Sequence, residues 1–502
     1  MGTTCIYIAS CSNKRPESIQ DAHMMVTILD TTLREGELQP GVYFNKESRS
    51  RIAEALAEIG TPRIEFPLVY PQRGGKIEDV KTAVTTVQES YGRTAVLQYR
   101  AYRPDVELSQ AYGAKGCALF MAPTSLHRKG KLHGLEQEKM IATFVETLEL
   151  AKESGFVYRR ATLEDVSRFD NPEERATEDS EEFLQRLLRA VKEAGATVVS
   201  IPDTSGILAQ NRCLPFIREV ARLTDLPLAC HFHNDYGNAL ANALQAATFP
   251  QVEEIHVSIL GLGTRNGITD HYEFAANFED LLHIQSGEKR EKLRWLYDVF
   301  SETTGIPLPW THPLAPQCFV EKAGTHQSQV VIDATGYIPR KKLQFDAKGE
   351  VKFEAGLLMS RRVIERLFES AGQNVSGSSV EEVTEAVAAR SGLKQRDLSP
   401  WEVKEIVQSK TGVDIPIEKV QKVIRGEEHI YIMLRLLPQF PANELVREVG
   451  QWKEVEHVDE VYGDVDVIIL TRNKDSEGNV VVDKVRNRFK DAITRTTTLP
   501  VE

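Results

Sequence analysis

Residues 180–206, SEEFLQRLLRAVKEAGATVVSIPDTSG, hold one full repeat of the pattern that decides the fold. An amphipathic helical stretch ends at Gly195, a residue suited to a helix C-cap. A β-rich run, TVVSI (197–201), follows directly and leads into Asp203 and Thr204. The same alternation runs outward from Val26 to about residue 290. Further strands are expected at VTILD (26–30), PRIEF (62–66), TAVLQY (94–99), CALFM (117–121), YRRATL (158–163), PLACH (227–231) and EIHVS (254–258). Eight strands separated by helices over roughly 260 residues is the count and length of a (β/α)8 TIM barrel, an α/β fold. A doubly wound open sheet is the alternative, but no G-x-G-x-x-G follows the first strand.

The chain has 502 residues, enough for about three structural units. It is 41% hydrophobic and 27% charged, which excludes a disordered chain and a small disulfide scaffold. Sixty-one basic and 73 acidic side chains give a net charge of -12, arguing against nucleic acid or anionic membranes as partners. Any anionic substrate must be caught by locally placed arginine, lysine or metal. Cys5, Cys11, Cys117, Cys213, Cys230 and Cys318 are scattered with no CxxC pair, as expected of reduced, cytoplasmic thiols. No apolar run approaches the length of a membrane span.

Residues 1–25 read as an N-terminal extension without signal-peptide character, and 26–290 as the barrel. A Pro-rich stretch, GIPLPWTHPLAPQ (305–317), falls in a linker subdomain spanning 291–355. Residues 356–426 read as helices, and 427–502 as a ferredoxin-like βαββαβ domain.

In a barrel of this kind the site forms at the C-terminal strand ends. Those ends supply Arg34, Glu35, Arg100, Thr124, Ser125, Glu164, Asp165, Asp203, Thr204, His231 and His233, then the loop GLGTRNG (261–267). His231 and His233, two apart on a strand, face the same side. With Glu35 they offer two imidazoles and a carboxylate, a divalent-metal set that also holds substrate oxygens. A pair of polar strand-end histidines is the plainer alternative. Arg34 reads as a clamp for a developing enolate or carboxylate oxygen, or as a surface ion pair. Glu164 is an acid/base candidate, while Asp165 and Arg168 form a salt bridge on the simplest account. Thr204 either donates to a substrate carboxylate or caps a helix that begins there.

DTTLREGE (30–37), APTS (122–125), TLEDVSR (162–168), IPDTSG (201–206), HFHNDYGNALAN (231–242) and LGLGTRNGIT (260–269) together resemble the 2-isopropylmalate, homocitrate and citramalate synthase family. The resemblance covers about residues 26–340. It implies a metal-dependent barrel related to that of HMG-CoA lyase, condensing acetyl-CoA with a 2-oxo acid in amino-acid biosynthesis. It also implies a divalent cation (Mg, Mn or Zn) on Glu35, His231 and His233, with Arg34 catalytic and Arg100, Thr124, Ser125 and Thr204 at the substrate. Glu35 in REGE and the RNGIT ending lean toward homocitrate synthases. Three departures are Leu38 after Glu37, Thr264 where the family carries glutamate, and Gln98-Tyr99-Arg100 at the third strand end. EKAGTH (321–326) resembles the family's linker motif, which implies a homodimer or higher oligomer in which His326 serves the partner's active site. The tail, with VYGDVDVIILTR (461–472) at its core, resembles the effector-binding domain of leucine-responsive regulators, implying an amino-acid effector or an oligomerising role.

Other readings are an isopropylmalate or citramalate synthase, a lyase or aldolase on the same barrel, and a non-enzymatic amino-acid sensor on a silent barrel. The glycine loop after the eighth strand lacks the cysteine that HMG-CoA lyases carry, which disfavours the lyase.

Overall fold

A computed structural model describes residues 26–171, 175–347, 350–425, 429–452, 454–472 and 477–501. The expected extension over residues 1–25 lies outside them.

Eight parallel strands close into a barrel in chain order. They are β1 (Thr27–Asp30), β2 (Arg63–Pro67), β3 (Thr94–Arg100), β4 (Gly116–Met121), β5 (Tyr158–Leu163), β6 (Val198–Asp203), β7 (Leu228–Phe232) and β8 (Val252–Val257). Closure comes from β8 pairing with β1, Thr27 opposite Glu254 and Asp30 opposite Val257. The repeat at 180–206 shows why the elements form. Ser180 accepts the Phe183 N–H at the N-terminus of helix Glu181–Glu193, whose Phe183, Leu184, Leu187, Leu188 and Val191 are buried. Gly195 then turns the chain at φ +97°, a left-handed value that favours glycine.

Inside the barrel, side chains of period two form layers. Leu29, Val96, Ala118, Tyr158, Val198 and Ala229 make an apolar cluster. Two residues further along five of these strands stand Gln98, Phe120, Arg160, Ser200 and His231, and these line a cleft. The barrel is therefore plugged by apolar packing on one side and lined with polar chemistry on the other.

The chain divides into two compact units at His312/Pro313. Helix Leu293–Thr304, expected in the linker, instead belongs to the barrel unit. It buries Leu293, Leu296, Tyr297, Val299 and Phe300, with the Phe300 ring edge-on to Phe44 at 6.2 Å. An amphipathic helix follows its apolar face, and this one packs within the barrel unit, which runs to His312. Within the second unit a helical core forms around Val363, Leu367, Val383, Val403 and Ile424. The parallel pair β9 (Val320–Glu321) and β10 (Lys352–Phe353) borders it. The tail strands β11 (His429–Leu436), β12 (Val455–Glu460), β13 (Val467–Arg472) and β14 (Ile493–Val501) form an antiparallel sheet ordered β12-β13-β11-β14. With helices Ala442–Val449 and Glu477–Arg488 this is the ferredoxin-like βαββαβ arrangement. Among the described residues no helix is long and apolar enough to cross a membrane.

Candidate functional site

The cleft, about 470 Å³, opens at the C-terminal strand ends of the barrel. After β1 the chain turns at once into the short helix Thr32–Glu35. Asp30 Oδ1 accepts the Thr32 N–H at 2.8 Å, and Thr32 Oγ1 accepts the Ile259 N–H at 2.8 Å. That tie fixes the turn that presents Arg34 and Glu35 to the cleft. Opposite, β7 delivers His231 and His233 on one face. Ligand-type atoms of Glu35, His231 and His233 all lie within 4.8 Å of one another, and the three residues are buried. The two histidine Nε2 atoms are 3.3 Å apart. A Cβ on Gly263 would sit 3.0 Å from Glu35 Cγ, so glycine there lets the loop after β8 close over the carboxylate.

Burial pushes the His231 imidazole well below its usual range, with His233 and His256 adding to the effect. Burial lowers His233 as well, against the opposing pull of Glu35. Both rings are therefore neutral and carry a lone pair, and His233 Nδ1 is buried without a partner among the described residues. One carboxylate and two neutral imidazoles suit a divalent cation with open positions.

The sequence reading missed the polar layer beneath this cluster. Arg34 Nε donates to Glu65 Oε1 at 2.6 Å, and its Nη1 contacts Glu35 Oε2. Arg160, fully buried, contacts Glu65 Oε2 and donates to Gln98 Oε1 at 2.6 Å and Thr162 Oγ1 at 3.1 Å. Burial opposes ionisation of Glu65, but Arg34 and Arg160 outweigh it and hold the carboxyl below the usual range. On β8, Glu254 accepts from Tyr158 Oη and Arg63 Nη1, each at 2.7 Å. Burial again opposes the charge, yet His256, Arg63 and Arg160 hold Glu254 at about 2. The available signal was an ionisable residue inside a β-rich run, as in RIEF, YRRATL and EIHV.

The remaining expected residues divide between cleft and scaffold. Glu164 lines the cleft, both its oxygens taken by Lys131 Nζ, which also lines it. Thr204 lines it too; its Oγ1 accepts the Asp165 N–H at 2.8 Å, leaving its own proton to donate. No helix begins at Thr204, since the next is Gln210–Ala221. Asp165 and Arg168 form the expected pair at 2.7 Å. Arg100, Thr124 and Ser125 do not line the cleft. Arg100 is half-exposed and held by both oxygens of Asp105 at 2.8 Å. Thr124 Oγ1 sits 3.1 Å from His127 Nδ1 and 3.4 Å from Asp165 Oδ2, and the Ser125 N–H is accepted by Asp179. These three stand at strand ends but are captured by neighbouring segments. His326 lies in the second unit, on helix Gly324–Ile332, stacked on Tyr337 at 3.9 Å and 3.5 Å from Glu321 Oε2.

The fold and cleft define a (β/α)8 barrel with a carboxylate–imidazole cluster at its mouth. Residues 25–299 match the HMGL-like family, and the chain belongs to it. Over 470 residues the chain is 29% identical to the homocitrate synthase of Saccharolobus islandicus, covering 92% of this chain and 96% of that one. It is 28% identical to the homocitrate synthase of Sulfolobus acidocaldarius over 473 residues, 92% of this chain and 95% of the relative. The crystal structure of the HMG-CoA lyase of Bacillus subtilis is also similar, at 23% identity and a TM-score of 0.49, across 57% of this chain and 96% of the lyase.

Proposed function

We propose that this chain condenses acetyl-CoA with a 2-oxo acid, as a homocitrate-synthase-type acyltransferase of amino-acid biosynthesis in the cytoplasm. The observation that carries the reading is the Glu35–His231–His233 cluster beside Arg34 in one cleft. When bound there, a divalent cation (Mg, Mn or Zn) supplies Lewis-acid polarisation of the keto acid.

The chain's own residues do the rest. Arg34, braced by Glu35 and Glu65, donates from its guanidinium to the oxygen that gains negative charge as the new bond forms. Thr204 Oγ1, already accepting from Asp165, donates its proton to a substrate carboxylate. Glu164, paired with Lys131 at the cleft, takes or returns a proton, assisted by the partner subunit's His326 in a homodimer. The acetyl methyl loses a proton, its carbon bonds to the keto carbon, and the keto oxygen becomes a hydroxyl. Water then cleaves the thioester and releases the CoA thiol. The ferredoxin-like domain is assigned an amino-acid effector, with lysine and leucine the first ligands to test.

Thiol release from acetyl-CoA against a panel of 2-oxo acids, 2-oxoglutarate first, tests the reading. Release should require one such acid and stop when a chelator is added. No acid-dependent release in the presence of Mg²⁺, Mn²⁺ or Zn²⁺ would refute it.

A further inference from the structure

Behind His231 stands His256, on β8, with the two Nδ1 atoms 3.3 Å apart. The other nitrogen of His256, Nε2, lies 2.8 Å from Glu254 Oε1 and 3.0 Å from Arg160 Nη1. His256 is 2% exposed and Glu254 1%, so no solvent resets this contact.

A neutral imidazole carries one N–H and one lone pair. One proton therefore sits between the two Nδ1 atoms, on one ring or the other. If His256 holds it, His231 accepts at Nδ1 and must carry its own proton at Nε2. That atom is the one 3.3 Å from His233, so it would have no lone pair for a cation. If His231 holds it, its Nε2 lone pair is free, and the His256 proton moves to Nε2, against Glu254. The contest is decided at His256 Nε2, where Glu254 can only accept and Arg160 can only donate. An ionised carboxylate at 2.8 Å makes a charge-assisted bond with an N–H there. Arg160 keeps Glu65 and Gln98 on its Nη2 and Thr162 on its Nε, and its Nη1 has Glu254 Oε1, 3.6 Å away, as an ion-pair partner when His256 does not accept.

We propose that Glu254 selects the tautomer of His256, and His256 that of His231, so that His231 turns its Nε2 lone pair toward the Glu35–His231–His233 cluster. The relay rests on the metal reading given above. Glu254 and His256 are positioning residues, acting through His231 in the way that hydrogen-bonded partners orient metal-binding imidazoles.

The test titrates Mn²⁺ into metal-stripped full-length protein and reads free Mn²⁺ by electron paramagnetic resonance. His231→Ala should lose the site. Glu254→Met and His256→Phe should bind about 10–100-fold more weakly. Glu254→Gln, which keeps a carbonyl acceptor, should recover most of that loss. Tyr158→Phe removes a different donor to Glu254 and should bind within about threefold of wild type. Unchanged affinity in Glu254→Met, with the site lost in His231→Ala, overturns the relay and leaves the metal reading standing. Full binding by His231→Ala overturns the metal reading itself. An equal loss in Tyr158→Phe assigns the effect to packing and overturns the relay. Histidine-selective ¹⁵N spectra of the wild-type protein decide the matter even if a variant does not fold. They should show His256 protonated at Nε2 and His231 at Nδ1, and the opposite pattern overturns the relay.

Discussion

The strand ends and the strand interiors of this barrel carry different parts of the site. At the ends of β1 and β7, Arg34, Glu35, His231 and His233 face open space in the cleft. Beside and beneath them, Glu65, Gln98, Arg160, Glu254 and His256 face one another across strands β2, β3, β5 and β8. The upper set has donor atoms to spare for a substrate or cation. The lower set uses its donors and acceptors internally, and holds the upper set in place through Arg34–Glu65 and His231–His256 contacts. Chemistry thus sits on a charged platform, which itself sits on an apolar plug. In the barrel interior a buried charge persists only where partners surround it.

The sharpest way to break this comparison is to remove one upper residue and find that the lower layer suffices. His231→Ala should abolish stoichiometric divalent-metal binding and lower turnover by about a hundred- to a thousandfold, a loss of several kcal/mol in stabilising charge. Metal analysis and thiol release read the two effects. Far-ultraviolet dichroism should be unchanged, because His231 touches the cleft and not the apolar cluster.

The lower layer should respond in the opposite sense, through stability. Arg160→Met leaves Glu65 buried with one arginine partner where it had two. Removing one partner of a buried pair costs about 3–5 kcal/mol. Denaturant unfolding should show that loss even in metal-free protein, where His231→Ala shows little. Equal stability in both variants would erase the distinction between the layers.

Strand ends and interiors also differed in how far they could be read. The eight strands were legible because each is a β-rich run set between amphipathic helices, and the Glu35–His231–His233 grouping because strand ends share one face. Arg160 and Glu254 were not legible. A charge inside YRRATL or VEEIHV is ambiguous along one strand, and only the neighbouring strand shows that it points inward to a partner. Glu65 fails for the same reason. Helix Leu293–Thr304 follows Gly287 and the charge run EKREK (288–292), punctuation that reads as a barrel end although the helix packs within the barrel unit. The effector and shared-site assignments for the tail and His326 concern ligands and subunits, and a single folded chain gives their residues without their partners.

A third prediction concerns the opposite side of the β1 end. Asp30, which steadies the Thr32–Glu35 turn, is held by His271 Nδ1 at 2.8 Å, while His271 Nε2 contacts Glu288 at 3.0 Å. Burial works against the imidazolium, but Glu288 and Asp30 outweigh it and raise His271 to about 10. The ordinary value is about 6.5. Because the folded value is the higher one, the stabilisation is complete below about pH 6.5 and is lost as pH rises through about 10. Melting temperature should fall across that window, and His271→Gln should flatten the profile. A wild-type profile that rises across the same window would show the ring is not charged in the fold.

The smallest effect should come from Arg100, which stands at a strand end like Arg34 yet belongs to neither layer. Position along the strand suggested a substrate contact, but three residues into the next segment the chain starts a helix, and Asp105 on it takes the guanidinium with both oxygens. Tyr70 shares that carboxylate at 2.9 Å, so Asp105 keeps a donor when the arginine is removed. The arginine side chain is 52% exposed, and solvent screening limits such a pair to about 1 kcal/mol or less. Arg100→Ala should therefore leave KM for the 2-oxo acid within about twofold, leave metal binding unchanged, and lower stability by no more than that amount. The comparison with Arg34→Ala is the informative one, because the two arginines stand at the C-terminal ends of β1 and β3, on either side of β2, and differ mainly in what their side chains meet. Arg34→Ala should lower kcat by about a hundredfold or more, the loss expected when a preorganised donor to a developing oxyanion is removed. If Arg100→Ala raised KM tenfold with stability intact, the cleft would extend from Gln98 outward to the β3 end, and Arg100 would belong with the substrate-facing strand ends and not with the scaffold-bound ones.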